Sequence, residues 1–217
     1  MIEPLLLTLR LAAATSAILT LVAAPLAWLL VKHRMRGRVI LETVLLLPLV
    51  LPPTVLGFYL LVLLGDGGRV SELFGLRWAF TFQGILVGSV LFNLPFALAA
   101  FRETFRAVPD DLLDTARTLG ASPLRVARSV VLPLAWPGIF AGAVFVFAHT
   151  IGEFGVVLLL GGSIPGETRV LSIHLYELVQ SLQFEEARRV ALLTTGIAFS
   201  ILLALRLTEN RWRSTTA

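Results

Sequence analysis

A chain of 217 residues with 57% hydrophobic and only 15% charged residues holds more apolar surface than a soluble domain of that size can bury. It has no cysteine, which excludes disulfides, thiolate metal sites and cysteine nucleophiles. The net charge is +4, and the bases sit in short loops between apolar runs, a topology signal rather than a nucleic-acid-binding face.

Five stretches lack Asp, Glu, Lys and Arg: Leu11 to Val31, Thr43 to Gly65, Trp78 to Phe101, Ser129 to Gly152 and Val190 to Leu205. Crossing the hydrocarbon core takes roughly 20 apolar residues in a helix. The expected spans are therefore 8–31, 42–65, 79–101, 131–160 and 189–207 within one domain, 1–217. The fifth run is short, and Arg189 and Arg206 at its ends can snorkel. Uninterrupted runs exclude the alternating pattern of a β-barrel, so the expected fold class is an all-α polytopic membrane protein. The first run exceeds the roughly 7–15 residues of a signal-peptide core and reads as a span.

Lys and Arg set the orientation. With the loop 32–38 in the cytoplasm, twelve bases fall inside and six outside. The N-terminus is then periplasmic, and loop 102–130 and the C-terminus are cytoplasmic. Segment 168–184 carries His174, Glu177, Gln180 and Gln183 at a spacing of three and reads as an amphipathic helix at the periplasmic surface. A sixth crossing there is the alternative, and it weakens the charge bias.

The loop from Pro109 to Arg125 is legible residue by residue. Asp110 or Asp111 is the expected cap of a short helix, Gly120 its left-handed stop, and Ser122 the cap of a second helix with Pro123 at its first position. Pro133 and Pro137 are expected to disturb the helix that follows. Leu112, Leu113, Ala116 and Leu119 fall on one side of the first helix, a short apolar stripe suited to a partner groove. The bland alternative is a loop lying on lipid headgroups.

This loop resembles the EAA loop of bacterial ABC import permeases. That motif runs Glu-Ala-Ala, three residues, Gly, nine residues, an aliphatic residue, one residue, then Leu-Pro. Here stand Asp114-Thr115-Ala116, Gly120, Val130 and Leu132-Pro133 at the same spacing, with Asp for Glu and Thr for Ala. The resemblance implies the type I importer fold. It implies that Asp114, Thr115, Ala116, Gly120, Ala121 and Ser122, with Leu112 and Leu113, form the coupling helix that docks on a separate ATPase.

Further segments resemble molybdate/tungstate permeases in particular: Leu47 to Gly57 with Pro48, Pro52 and Pro53, Thr118-Leu119-Gly120-Ala121-Ser122, Ile151-Gly152-Glu153-Phe154-Gly155, and Gly162 to Thr168. Sulfate permeases are the close relatives and the alternative. The resemblance implies a homodimer, two copies of a cytoplasmic ATPase that uses ATP-Mg, and a periplasmic oxyanion-binding protein, in the inner membrane.

Several polar or helix-breaking residues fall inside the apolar runs. Pro52 and Pro53 read as a kink, or as a break whose freed N–H groups face an anion. Thr54, Asn93 and Thr150 read as helix–helix hydrogen bonds or as pathway lining. Glu153 is an intramembrane acid, costly unless used. Because a carboxylate repels an oxyanion, it is expected to make a structural bond or pair, with Arg169 the suggested partner. His149, four residues earlier, is expected to pair with it locally, and no third metal ligand is evident. The chain has no Gly-rich phosphate-binding Lys loop, so ATP chemistry and any cofactor belong to a partner. A lipid-modifying intramembrane enzyme and an ion channel are the readings from other classes.

Overall fold

Helix propensity and apolar runs carry almost the whole chain into helix. The structure, a computed structural model, describes residues 1–32 and 36–215, with side chains to residue 208. His33, Arg34 and Met35 of the basic loop, and the side chains of Arg211 and Arg213, lie outside the described residues. The elements are α1 (Ile2–Lys32), α2 (Arg38–Val50), α3 (Pro53–Leu64), α4 (Arg69–Phe74), α5 (Phe82–Arg106), α6 (Asp110–Thr118) and α7 (Pro123–Val126). A π turn (Ala127–Val131) joins α7 to α8 (Leu132–Ile151). There follow α9 (Gly155–Gly161), α10 (Leu171–Gln180) and α11 (Phe184–Thr215). No strand occurs among the described residues.

Among the described residues five helical stretches are long and apolar enough to cross a membrane: Ile2–Lys32, Pro53–Phe74, Phe82–Arg106, Pro123–Ile151 and Phe184–Thr208. Helix α10, with 10 residues, rises about 15 Å, half the hydrocarbon core, so it is no sixth crossing. It packs against α11 and α1.

Two of the expected spans are cut, one inside a charge-free run and one at Glu153. The second breaks at Leu51-Pro52: α2 ends at Val50 and α3 begins with Pro53 in its first turn. Pro lacks the N–H that would continue the ladder, and it pushes the preceding residue out of the α region. Pro48 stays inside α2. The fourth breaks after Ile151, and Gly152 to Phe154 separate α8 from α9 where a continuous span to 160 was expected.

Helix α1 lies against α5 and α8. Small residues permit the close approach: Ala12, Ala23 and Ala27 are fully buried, and a Cβ on Gly142 of α8 would meet the Phe101 ring at 2.7 Å. The principal core joins Leu19, Ala27 and Leu30 of α1 to Phe101 and Phe105 of α5 and Ala135 and Val146 of α8. Leu113 of α6 and Val126 of α7 belong to the same core, so the loop helices are packed onto the spans. A second core unites α3 and α9 through Leu60, Leu64, Val156 and Leu160.

Candidate functional site

The loop between α5 and α8, expected to couple to an ATPase, is two short helices with a hydrogen-bonded corner. Pro109, extended, is the N-cap of α6; Asp110 and Asp111 stand one and two residues further in and favour the helix dipole from the first turn. The expected acidic cap is thus replaced by the fixed φ of Pro109. At the other end Gly120 takes φ +80° and donates to Arg117 O at 2.9 Å, while Ala121 N–H donates to Ala116 O at 3.0 Å. These two bonds are a Schellman stop, and its left-handed residue is the glycine expected there. Ser122 Oγ then accepts from Arg125 N–H at 3.4 Å, capping α7, whose first residue is Pro123.

The apolar stripe of α6 divides. Leu113 is buried and Ala116 half-buried against the core, whereas Leu112 is 46% and Leu119 82% exposed. One side anchors the helix and the other is free. Asp114 is exposed and ion-paired to Arg117 at 3.0 Å. Thr115 Oγ1 donates to Asp111 O. Lys32, at the end of α1, donates to Asp110 Oδ1 at 2.6 Å and to Val108 O at 3.0 Å. This tie from span to loop was not foreseen, because its partners are 78 residues apart. The π turn falls immediately before Leu132-Pro133, which is the disturbance the prolines were expected to cause.

At the breaks the chain builds a polar cluster. Asn93 of α5 donates through Nδ2 to Glu153 Oε2 at 3.0 Å and to Ser89 O at 2.8 Å. Its Oδ1 lies 2.7 Å from His149 Nδ1. Helix α8 ends between His149 and Glu153, so they do not pair by helical spacing; Asn93 bridges them. The His149 ring lies against Phe96, 4.3 Å between centroids. Arg169, the suggested partner of Glu153, instead pairs with Glu177 at 3.0 Å and bonds Ser163. Ser172 Oγ of α10 donates to Glu153 O at 2.6 Å, so both ends of this residue are held. Glu153 Oε1 and Ser89 Oγ are buried with no hydrogen-bond partner among the described residues.

A cavity of about 500 Å³ opens beside this cluster, lined by Pro53, Phe92, His149, Gly152, Glu153 and Gly155 among others. Pro53 and Gly155 are the first residues of α3 and α9, and a Cβ on Gly155 would meet Pro53 Cβ at 2.9 Å. Both breaks therefore meet at one cavity. Pro52 and Thr54 are exposed, and Thr150 Oγ1 is spent on Val146 O of its own helix. Outside the spans, burial holds His174 below the ordinary imidazole range, and the N-terminus and Arg169 act in the same sense. No group of three or more His, Cys, Asp or Glu side chains suited to a metal occurs among the described residues.

A bundle of five apolar crossings with a capped helix pair packed on its end is the architecture of a membrane transport subunit. The chain belongs to the family of binding-protein-dependent transport system inner membrane components, which matches residues 16–208. It is 42% identical over 203 residues to the molybdenum transport system permease protein ModB of Azotobacter vinelandii, covering 92% of this chain and 90% of that one. Against the sulfate transport system permease protein CysT of Salmonella typhimurium the identity is 28%, over 86% of this chain and 69% of that one. The fold matches a chain of a bacterial alginate ABC transporter crystal structure with a TM-score of 0.80 at 18% identity, covering 97% of this chain and 78% of that chain. These relatives are named as transport proteins, which removes the intramembrane enzyme reading.

Proposed function

We propose that this chain is the membrane subunit of an ATP-driven importer that carries molybdate or tungstate by alternating access. It acts as a homodimer with two copies of a cytoplasmic ATPase and receives its oxyanion from a periplasmic binding protein. The observation that carries the reading is the 42% identity to a molybdenum permease along nearly the whole of both chains, against 28% to a sulfate permease.

The mechanism follows from what each part can do. The ATPase supplies ATP hydrolysis; this chain supplies a lever and a gate. Leu112, Asp114, Thr115 and Leu119 form the free side of α6 and meet the ATPase, while Leu113, Ala116 and Ala121 hold the helix to the bundle. Because the corner at Gly120 to Ser122 is hydrogen-bonded on both sides, force on α6 passes through α7 and the π turn into α8. Helix α8 ends at Ile151 and its C-cap Gly152 lines the cavity, so its motion reaches the space between the two breaks.

At that cavity the oxyanion is met by the opening of α3, where Thr54 N–H is the one donor of the first turn left without a partner among the described residues: Pro52 and Pro53 carry no N–H, and Val55 N–H donates to Pro52 O at 2.9 Å. Glu153 repels a dianion and is not its ligand. It pins the break to α5 through Asn93. The spans hold few positive charges, which suits release over retention. The orientation with the N-terminus in the periplasm and the C-terminus in the cytoplasm is supported by the charge bias, twelve bases inside against six outside.

The test is ATP-dependent uptake in proteoliposomes holding this chain, its ATPase and its binding protein, with labelled molybdate, tungstate and sulfate in competition. Uptake of molybdate or tungstate that excess sulfate does not reduce is the expected result. Uptake of sulfate alone overturns the substrate, and no ATP-dependent uptake by an assembled complex overturns the reading.

A further inference from the structure

A groove of about 360 Å³ lies on the outer surface of the bundle, beside the loop helices and away from the polar cluster at the breaks. Its walls are α1, the end of α5, the π turn and the start of α8. Leu21 and Trp28 stand on one side, Trp136 and Ile139 on the other, and Phe105 and Val131 in between. The lining is almost wholly apolar and carries one charge, that of Arg128. Trp28 packs edge-on against Phe105, with centroids 5.4 Å apart, and fixes the wall.

Three observations identify the occupant. First, Arg128 is exposed and, like Arg69, Arg125 and Arg189, has no ion pair or side-chain hydrogen bond among the described residues, and of these four it is Arg128 that lines the groove. Second, the groove runs from this cation inward. From Trp28 back to Thr20 along α1 is eight residues, about 12 Å, directed into the apolar part of the span. Third, two tryptophans border it near the charged end, where amphipathic rings favour the boundary between headgroups and hydrocarbon. Lys32 Nζ also stands 5.9 Å from the Trp28 ring centroid but is paired with Asp110, so Arg128 is the uncompensated cation at the mouth of this apolar trough, which matches one chemistry: an acyl chain joined to a phosphate.

We propose that this groove binds one anionic phospholipid of the inner leaflet, with its acyl chain between α1 and α8 and its phosphate on Arg128. The inner-leaflet placement rests on the orientation given under the proposed function. Because the π turn that joins the coupling helices to α8 forms one wall, the lipid braces the segment through which α6 acts.

The test uses quenching of tryptophan fluorescence by brominated lipids. The assembled permease–ATPase complex, with Trp78→Phe and Trp212→Phe so that Trp28 and Trp136 report, is placed in phosphatidylcholine bilayers with increasing brominated phosphatidylglycerol. Brominated phosphatidylcholine in phosphatidylglycerol is the converse series. The expected result is a roughly fivefold preference for the anionic lipid, about 1 kcal/mol. It should fall to near unity in Arg128→Gln and persist in Arg128→Lys. Equal quenching by both lipids overturns the proposal, as does a preference that survives Arg128→Gln. Quenching by neither lipid shows the groove covered by protein and overturns it too. None of these readings needs transport, so a preference that holds in a complex without oxyanion uptake leaves the lipid site standing and the importer reading fallen.

Discussion

Asn93 Nδ2 reaches Glu153 Oε2 across 3.0 Å, joining the middle of α5 to the break that follows α8. The same amide holds His149 through its other atom at 2.7 Å. One side chain thus fixes the end of α8 and the start of the break together. Asn93→Leu leaves the carboxylate and the imidazole without that partner. A stability loss of about 1–3 kcal/mol is expected, with loss of most uptake. Thermal unfolding of the detergent-solubilised complex, beside uptake, checks this. Glu153→Gln, which still accepts from Asn93, should keep the fold, and a Gln variant as unstable as Asn93→Leu would show that charge rather than the hydrogen bond matters.

Lys32 ties α1 to the loop, with its side chain nearly buried while Asp110 is largely exposed. The exposed pair itself should contribute little, ~0.2–1 kcal/mol. Asp110→Asn is therefore expected to be close to neutral in stability. Lys32→Met also strips Val108 O of its donor, and it should loosen α6 enough to raise protease cleavage within residues 107–122 several-fold. Equal cleavage in both variants would mean that the tie has no mechanical role.

Thr168 is fully buried and closes the turn after α9: its Oγ1 donates to Gly161 O at 2.7 Å and accepts from Ile164 N–H at 3.0 Å. Thr168→Val keeps the volume and removes both bonds, so a loss of about 1–3 kcal/mol is expected. Thr168→Ser should recover most of it. If Val is as stable as Thr in a melting experiment, the turn is held by packing alone.

Much of this was legible in the sequence, and the unread parts share a cause. Charge-free runs announce α1, α5, α8 and α11 because lipid tolerates only internally bonded backbone. The corner at Gly120 to Pro123 is local chemistry: a left-handed glycine, a serine cap, a proline at the first helical position. By contrast, Leu51-Pro52 sits within an apolar run, where hydropathy shows no seam, and at Gly152 to Phe154 the single acid Glu153 ends a run without telling whether the helix breaks there. Three prolines near residue 50 announced a break without saying which would make it. Pairings such as Lys32 with Asp110 and Asn93 with Glu153 join residues 78 and 60 apart. Only packing brings such partners together, which is why Arg169, nearer in sequence to Glu153, was the wrong partner to expect. The division of the α6 stripe was hidden for the same reason, since periodicity gives a face but not what lies beneath it.

The reading stands or falls on whether α6 transmits ATPase work to the spans. Gly120→Pro cannot hold φ +80° and removes the N–H bonded to Arg117 O, while Asp114→Lys reverses a charge on the free side of α6 without touching the core. Both variants should insert and assemble. The decisive measurement is ATP hydrolysis stimulated by the oxyanion-loaded binding protein, taken side by side with uptake in the same proteoliposomes. Loss of stimulation and a fall of tenfold or more in oxyanion carried per ATP, with the complex intact, is the expected result. Unaltered stimulation and an unaltered ratio in both variants would contradict the coupling role of this loop.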